Sequence, residues 1–198
     1  MEILDRPERP TGLGLVLTHG AGANCRAPLL LKVAEAFRAA GVYVLRYDLP
    51  FRQRRPFGPP SPATAAADRA GLREAVARLR ETAAGPIYLG GHSYGGRQAT
   101  MLAAEDPGVA AGLLLLSYPL HPPGKPERMR TEHFPALRTP AVFVHGTKDD
   151  FGSIDEMRHA LQLIPAPTQL VTVEGGGHDL KRGAFDVAAL VVGRVLGA

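Results

Sequence analysis

The sequence predicts an α/β fold with an open, mostly parallel sheet of about six core strands and helices on both faces. Two observations predict this fold. Short, almost wholly apolar runs recur along the 198 residues, and amphipathic segments of helical length separate them. A strand covered on both faces is apolar throughout, and a crossover between parallel strands needs a segment long enough for a helix. We therefore predict one domain that extends over residues 1–198.

The apolar runs locate the predicted strands. They lie at residues 13–18, 42–45, 87–89, 113–116, 141–144 and 169–173. Short runs of this length are typical of strands buried on both faces. In an open parallel sheet, functional loops leave the carboxyl ends of the strands. We therefore expect a site where the loops after the first, third, fifth and sixth runs meet.

Helical segments fill the intervals between the apolar runs. They lie at residues 29–39, 65–81, 98–104, 154–163 and 185–196. Pro28 suits the first position of the first helix, because a helix leaves its first amides without partners. The regular alternation of strand and helix indicates right-handed crossovers and hence a parallel sheet.

Composition and charge narrow the class of protein. Hydrophobic residues make up 45% and charged residues 21% of the chain, which is typical of a globular domain. The net charge is +4, but no nucleic-acid-binding motif accompanies it, so we expect no nucleic-acid partner. The sequence shows no secretion signal and no apolar run of the roughly 18 to 20 residues that span a bilayer. Cys25 is the only cysteine, which excludes an internal disulfide, and we expect a cytoplasmic protein without a membrane partner.

The segment Gly91-His92-Ser93-Tyr94-Gly95 carries the strongest functional signal. An apolar run precedes it and a helical segment follows it, so its G-x-S-x-G pattern has the strand, sharp turn and helix context of a nucleophile elbow. Such a turn strains the serine backbone, and side chains two residues before and after the serine would collide with neighbouring backbone. We predict that Ser93 is a nucleophile presented above the sheet.

A nucleophilic serine needs a base, and the base needs an acid. The histidines that follow the candidate acids in the chain are His159 and His178. His178 follows a strand through three glycines that let the backbone return over the sheet, whereas His159 lies in a helical segment, so we interpret His178 as the base. Asp149 and Asp150 compete as the acid. Asp149 is preferred for its spacing from the preceding glycine, and Asp150 could instead cap the next helix.

An oxyanion formed during acyl transfer needs two hydrogen-bond donors. The backbone N–H of Tyr94, at the start of the elbow helix, is one candidate. The glycine-rich turn at residues 19–22 supplies the other, from Ala21 or the glycine after it. His19 and His92 are then expected to shape these loops rather than to transfer protons.

The chain resembles the α/β-hydrolase superfamily from residue 13 onward. Three stretches look like the small hydrolases related to dienelactone hydrolases, namely residues 90–96, 117–121 and 145–149. A domain of a eukaryotic chromatin-acetylation complex subunit is similar as well. The resemblance implies a triad of Ser93, Asp149 and His178.

The chain departs from the family pattern in two ways. Only about a dozen residues precede the first predicted strand, so the leading antiparallel hairpin of the family is expected to be missing or reduced. Dienelactone hydrolases use a cysteine where this chain has Ser93. Cys25 does not lie at the elbow and is predicted to be a packing residue.

These residues predict a serine hydrolase of the carboxylesterase type that cleaves small, accessible acyl esters through an acyl-enzyme. No cofactor is expected, and the histidines lack the spacing of a metal site. The alternative interpretation is an interaction module that keeps the α/β-hydrolase fold without turnover. The residues do not distinguish ester, thioester, lactone and amide bonds, and they carry no signal for an oligomeric state.

The surroundings of the predicted site suggest the kind of substrate. The interval at residues 119–139 is too short for a helical cap domain, so we expect a shallow site. Cations flank it in the loops after the second and fourth predicted strands, namely Arg52, Arg54, Arg55, Lys125, Arg128 and Arg130. They favour the hypothesis that the small-molecule substrate is anionic. Tyr118 and His121 are further candidates for lining the pocket.

Overall fold

The computed structural model describes residues 1–183 and 185–197 and contains a seven-stranded sheet between two layers of helices. The strands are β1 (Glu2–Asp5), β2 (Gly14–Thr18), β3 (Tyr43–Tyr47), β4 (Ile87–His92), β5 (Gly112–Leu116), β6 (Ala141–Gly146) and β7 (Thr168–Val173). Their order in the sheet is β1-β3-β2-β4-β5-β6-β7. Strands β2 to β7 pair in parallel, and β1 pairs antiparallel with β3. The predicted α/β fold class is therefore confirmed.

Helices cover both faces of the sheet. They are α1 (Pro28–Ala39), α2 (Pro50–Arg54), α3 (Ala65–Arg80), α4 (Tyr94–Glu105), α5 (Ile154–Leu161) and α6 (Gly193–Leu196). A π-helical segment, Ala188–Val192, runs directly into α6. One apolar cluster joins the sheet to α1 and this carboxy-terminal helix, and a second joins it to α3, α4 and α5. In β2, Leu15 and Leu17 belong to the first cluster and Val16 to the second, which explains why the central strands are apolar throughout.

All six predicted strands are present, with ends shifted by a few residues. The strand that sequence reasoning missed is β1, which lies at the sheet edge with Glu2 opposite Tyr47. It contains only two apolar residues, so its sequence lacks the run that marks the central strands. The leading hairpin is thus reduced to a single antiparallel strand, as expected.

Local sequence signals explain where several helices begin. Pro28 and Pro50 occupy the first turns of α1 and α2. Ser153 and Glu156 form a capping box at the start of α5, in which each side chain accepts a hydrogen bond from the other residue's backbone N–H. Helix α2 lies in the segment after the second predicted strand, which we predicted to be a loop. The buried carboxylate of Asp68 accepts the Phe51 N–H at 2.9 Å and holds α2 against α3.

The connections at the carboxyl ends of the strands leave the site uncovered. Residues 117–140, between β5 and β6, contain a 3₁₀ turn at Phe134–Ala136 and no cap domain. Within the described part of the chain, no helix has both the length and the apolar character needed to cross a bilayer.

Candidate active site

Ser93 occupies a sharp turn between β4 and α4. Its φ is 51° and its ψ is −116°, a backbone conformation that non-glycine residues rarely adopt. The Ser93 N–H donates to Leu116 O at 2.9 Å, and the Arg97 N–H donates to Ser93 O at 3.0 Å. The strained residue is thus fixed from the neighbouring strand and from the helix that follows it.

Glycine is required on both sides of this turn. A Cβ atom on Gly91 would lie 2.7 Å from the carbonyl carbon of Gly95. A Cβ atom on Gly95 would lie 2.6 Å from the carbonyl oxygen of His19. Both distances are far below van der Waals contact, so the steric prediction from the G-x-S-x-G pattern is confirmed.

The structure brings the side chains of Ser93, His178 and Asp149 into one hydrogen-bonded series. His178 Nε2 lies 2.8 Å from Ser93 Oγ, and His178 Nδ1 lies 2.9 Å from each carboxylate oxygen of Asp149. Because a carboxylate only accepts hydrogen bonds, Nδ1 carries the proton and Nε2 offers its lone pair to the serine hydroxyl. The competing candidates lie elsewhere, since Asp150 and His159 are both exposed and His159 is part of α5.

Asp149 is buried at the end of β6 and is held in a fixed orientation. Burial is the largest single influence and would raise its pKa, but the hydrogen bond and charge of His178 and the Phe151 N–H together outweigh burial and leave the pKa below its ordinary value. The Phe151 N–H also donates to Asp149 Oδ1 at 2.9 Å. A second histidine, His145, lies with Nε2 3.7 Å from Asp149 Oδ2, but its N–H donates to Gly152 O at 2.7 Å.

Two further side chains hold His178 over the sheet. The Phe151 ring stacks on the imidazole with 4.0 Å between ring centroids and 25° between planes. The His92 Nε2–H donates to the carbonyl oxygen of His178 at 2.7 Å. Burial lowers the pKa of His92 to about 4, so its ring is neutral near pH 7. The sequence analysis assigned a loop-shaping role to His92 but missed Phe151, whose contact arises only once the β6 and β7 loops meet.

The two predicted oxyanion donors lie beside the elbow. Tyr94 is the first residue of α4, and Ala21 lies in a turn closed by the Ala23 N–H on Gly20 O at 3.1 Å. In the described part of the chain, neither the Tyr94 nor the Ala21 N–H donates to another residue. The turn packs tightly on the elbow, because a Cβ on Gly20 would lie 2.9 Å from His92 Nδ1. Both amides are therefore available to donate hydrogen bonds to a ligand. The Tyr94 amide also lies at the amino terminus of α4, where the helix dipole is positive.

His19 fixes the turn that carries Ala21. Its Nε2 accepts the Leu49 N–H at 3.1 Å, so its Nδ1 carries the proton that is donated to Gly20 O at 2.8 Å. The ring is fully buried, and burial lowers its pKa. His19 is thus engaged through both ring nitrogens in shaping the loop.

A cleft of about 540 Å³ opens next to Ser93. Its walls come from the elbow, the proline-rich segment after α2, helix α4 and the loops after β5 and β6. The residues that line it are Ala21, Pro59, Pro60, Ser61, Pro62, Ala65, Ser93, Tyr94, Arg97, Gln98, Met101, Pro119, Arg130 and Phe151. The cleft is mostly apolar, with two arginines on its wall.

Tyr118 and His121 do not line this cleft, which corrects the sequence interpretation. Tyr118 is fully buried among aromatic rings, and its hydroxyl donates to Arg130 O at 2.7 Å. His121 is also buried, and its Nδ1 lies 2.9 Å from Pro122 O. Both side chains stabilise the loop after β5 rather than facing a substrate.

Three arginines that we predicted to contact the substrate, Arg52, Arg54 and Arg128, do not line the cleft. Arg52 is only 6% exposed, and its guanidinium donates to five backbone carbonyls, those of Ala21, Ala23, Arg55, Pro56 and Gly58. It holds the Ala21 turn to the proline-rich loop and has no donor left for a substrate. Arg54 and Arg128 are exposed and lie outside the cleft wall.

Metal ligation finds no support in the part of the chain that is described. Residues 1–183 and 185–197 contain no cluster of three or more His, Cys, Asp or Glu side chains that could hold a metal ion. Cys25 is buried and does not line the cleft, and burial together with the nearby Asp48 raises its pKa to about 11. It is a packing residue in this structure.

The fold and the site define a class, namely α/β proteins with a serine elbow and no lid domain. A family model described as an alpha/beta hydrolase domain matches residues 12–186. The chain therefore belongs to the family of alpha/beta hydrolase domains.

Solved structures agree with this assignment. A serine hydrolase without lid from Xanthomonas campestris superimposes with a TM-score of 0.75 at 18% identity, covering 95% of this chain and 84% of that chain. A serine hydrolase homologue from Coxiella burnetii gives 0.74 at 16% identity, with coverages of 89% and 82%. A dienelactone hydrolase from Anabaena variabilis gives 0.72 at 21% identity, with coverages of 91% and 82%. At these identities the similarity concerns the fold.

Proposed function

We propose that the protein is a serine hydrolase that cleaves small, accessible acyl esters through an acyl-enzyme. The single observation that carries the proposal is the series of contacts at 2.8 Å from Ser93 Oγ to His178 Nε2 and at 2.9 Å from His178 Nδ1 to Asp149. A serine with a histidine on its hydroxyl and a buried carboxylate behind the histidine is the arrangement that nucleophilic acyl transfer requires.

The first half-reaction forms the acyl-enzyme. Ser93 Oγ attacks the ester carbonyl carbon while His178 Nε2 takes the hydroxyl proton, and the carbonyl π electrons become the oxyanion lone pair. Asp149 stabilises the imidazolium and keeps its own negative charge. When the tetrahedral intermediate collapses, the bond to the alcohol oxygen breaks and His178 returns the proton to the departing alcohol.

The second half-reaction uses the same groups on water. His178 removes a proton from a water molecule as the water oxygen attacks the acyl carbon, and Ser93 leaves with that proton when the second intermediate collapses. The carboxylic acid is released and the resting enzyme is restored. In both steps, the amides of Tyr94 and Ala21 stabilise the negative oxygen, and each such donor contributes on the order of 10²- to 10³-fold in kcat.

The shape of the cleft favours short acyl groups. No cap domain covers the site in the described residues, and the apolar wall includes small or rigid side chains such as Ala65, Pro59 and Pro119. The dienelactone hydrolase among the solved structures of similar fold also supports ester or lactone cleavage.

Hydrolysis of a chain-length series tests the proposal. The substrates are p-nitrophenyl acetate, butyrate and octanoate, and the variants are Ser93→Ala and Ser61→Ala. Ser61 is an exposed serine on the wall of the same cleft and serves as the matched control. We expect turnover to be faster with the two shorter esters, to fall at least about 10³-fold in Ser93→Ala, and to persist in Ser61→Ala. Equal rates in all three proteins, or no turnover by the wild type, would instead favour the non-catalytic interaction module.

A further inference from the structure

Arg97 and Arg130 lie on the wall of the cleft that contains Ser93. Arg97 is the fourth residue after Ser93, so one turn of α4 separates the two positions, with a rise of about 6 Å along the helix axis. Residues four apart lie on the same face of a helix. The Arg97 side chain therefore borders the space that a substrate held at Ser93 would fill. Arg130 reaches the same cleft from the loop after β5.

Neither arginine has a carboxylate partner in the described residues. Seven arginine or lysine ion pairs occur among residues 1–183 and 185–197, and none of them includes Arg97 or Arg130. Arg97 Nε is buried and lacks a hydrogen-bond partner there. The Arg130 side chain donates one long hydrogen bond, at 3.3 Å, to Pro119 O. A half-buried guanidinium without an anion is costly, which points to an anion supplied by a ligand.

The two cations also act on each other. Burial and the neighbouring charge of Arg97 lower the pKa of Arg130. The carboxylate that acts in the opposite direction is that of Glu132, which is exposed and forms no ion pair with either arginine in the described part of the chain. Two positive charges held together in a cleft raise the local potential for anions.

Arg52 differs from Arg97 in how its donors are used. Arg52 is buried beside the same cleft, but five backbone carbonyls accept its hydrogen bonds. Arg97 Nε, by contrast, has no acceptor among the described residues. Planar guanidinium groups bind carboxylate and phosphate oxygens in pairs, which gives such a site both strength and orientation.

We propose that Arg97 and Arg130 form an oxyanion-binding subsite that holds a carboxylate or phosphate group on the substrate about one helical turn from the ester carbonyl. This inference rests on the proposed hydrolase function, because it assigns the substrate class of the same cleft. Met101 and Phe151 line the same cleft, so the chain between the anion and the carbonyl would lie in apolar surroundings.

Matched substrates test the subsite. They are ethyl hydrogen succinate, its neutral isostere ethyl succinamate, and ethyl 3-phosphonopropanoate. The rate of hydrolysis of each ester is measured by pH-stat titration of the acid released. We expect the wild type to prefer at least one of the two anionic esters over the amide. Arg97→Gln and Arg130→Gln should each lower the ratio of kcat/KM for the preferred anionic ester to kcat/KM for the amide by about 10- to 100-fold. Arg97→Lys, which keeps the charge but loses the planar fork, should recover part of the ratio.

Arg138→Gln is the matched control. Arg138 is exposed and lies in the same β5–β6 connection as Arg130, but outside the cleft wall. Its substitution removes one positive charge from the region without touching the subsite, so the ratio should stay within about twofold of the wild-type value. A fall as large as that in Arg97→Gln would show that net charge alone sets the preference and would overturn the subsite.

Binding without turnover separates failure of the subsite from failure of the hydrolase proposal. Calorimetric titration of Ser93→Ala with succinate and with 3-phosphonopropanoate measures the anion contact alone. We expect one or both to bind, with affinity lost in the double variant Ser93→Ala, Arg97→Gln. Succinate preferred over the phosphonate identifies a carboxylate substrate, and the reverse preference a phosphorylated one. Binding of neither probe, or binding unaffected by the Arg97 change, overturns the proposal even if esters are hydrolysed.

Discussion

Two histidines lie beside the buried carboxylate of Asp149, and only one of them faces Ser93. His178 contacts both carboxylate oxygens at 2.9 Å and is 24% exposed, whereas His145 approaches one oxygen at 3.7 Å and is fully buried. The N–H of His145 is directed to Gly152 O. The proposed role of His178 as the base therefore depends on more than its proximity to Asp149. The ring must also offer its second nitrogen to a nucleophile.

Substitution of His178 and of His145 should give the largest difference in kcat between two variants. We expect His178→Gln to lower kcat for a short ester on the order of 10⁴-fold, because the serine proton then has no acceptor. His145→Leu should retain kcat within about tenfold, because His145 does not contact Ser93. Initial rates at saturating ester measure both effects. Comparable losses in the two variants would contradict the assignment of the base.

The two adjacent aspartates give the next largest contrast. Asp149→Asn should lower kcat about 10³- to 10⁴-fold, because the amide can donate a hydrogen bond to His178 and stabilise the wrong tautomer. Asp150 is exposed, so Asp150→Asn should change kcat by less than about twofold. Steady-state kinetics on the same ester compares them. A larger effect at position 150 than at position 149 would reverse the choice of acid.

His145 should matter for stability rather than for turnover. His145→Leu leaves the buried Gly152 carbonyl without its donor at 2.7 Å, which costs about 1 to 3 kcal/mol of unfolding free energy. The exposed His159 on α5 provides the control, and His159→Leu should stay within about 0.5 kcal/mol of the wild type. Urea unfolding at pH 7.5 measures both. An unchanged midpoint in His145→Leu would show that the hydrogen bond contributes nothing net.

The buried neutral histidines should make stability depend on pH. Burial lowers the pKa values of His19, His92, His133 and His145, to about 4 for His92 and His133. Between about pH 6.5 and pH 4 the unfolded chain therefore binds more protons than the native protein, so stability falls as the pH falls through this window. Each such histidine contributes up to about 1.4 kcal/mol per pH unit.

His133→Gln tests this pH dependence away from the proposed triad. Urea midpoints at pH 7.5, 6.5, 5.5 and 4.5 should show a shallower loss of stability in the variant than in the wild type. Parallel curves would mean that His133 titrates alike in the native and unfolded states.

The course of the chain through strands β2 to β7 and the convergence of Ser93, Asp149 and His178 could be predicted from the sequence. Apolar runs identify buried strands, and the rim formed by their carboxyl ends brings distant loops together. The catalytic role of the three side chains stays a prediction. Strand β1 could not be predicted, because its four residues form a strand only through pairing with β3.

The arginines show where sequence reasoning ends. Arg52 and Arg97 are the same residue type, and the sequence alone does not say which of them is free to bind a substrate. The predicted position of Arg52 in a loop near the site favoured it as a substrate contact. Its donors are occupied by carbonyls of loops that fold around it, whereas Arg97 has no such partners in the described residues. Whether a charged group is available depends on long-range packing, which no local pattern records. The spacing of four residues from Ser93 was the one signal that could have indicated Arg97.

Labelling with a fluorophosphonate, followed by peptide mass spectrometry, tests the central claim most directly. This probe forms a bond from phosphorus to an activated serine oxygen with loss of fluoride, and it needs no knowledge of the natural substrate. We expect one adduct, on the peptide that contains Ser93, and its loss in Ser93→Ala and His178→Gln. An unlabelled wild-type protein, or an adduct that persists in Ser93→Ala, would contradict this claim.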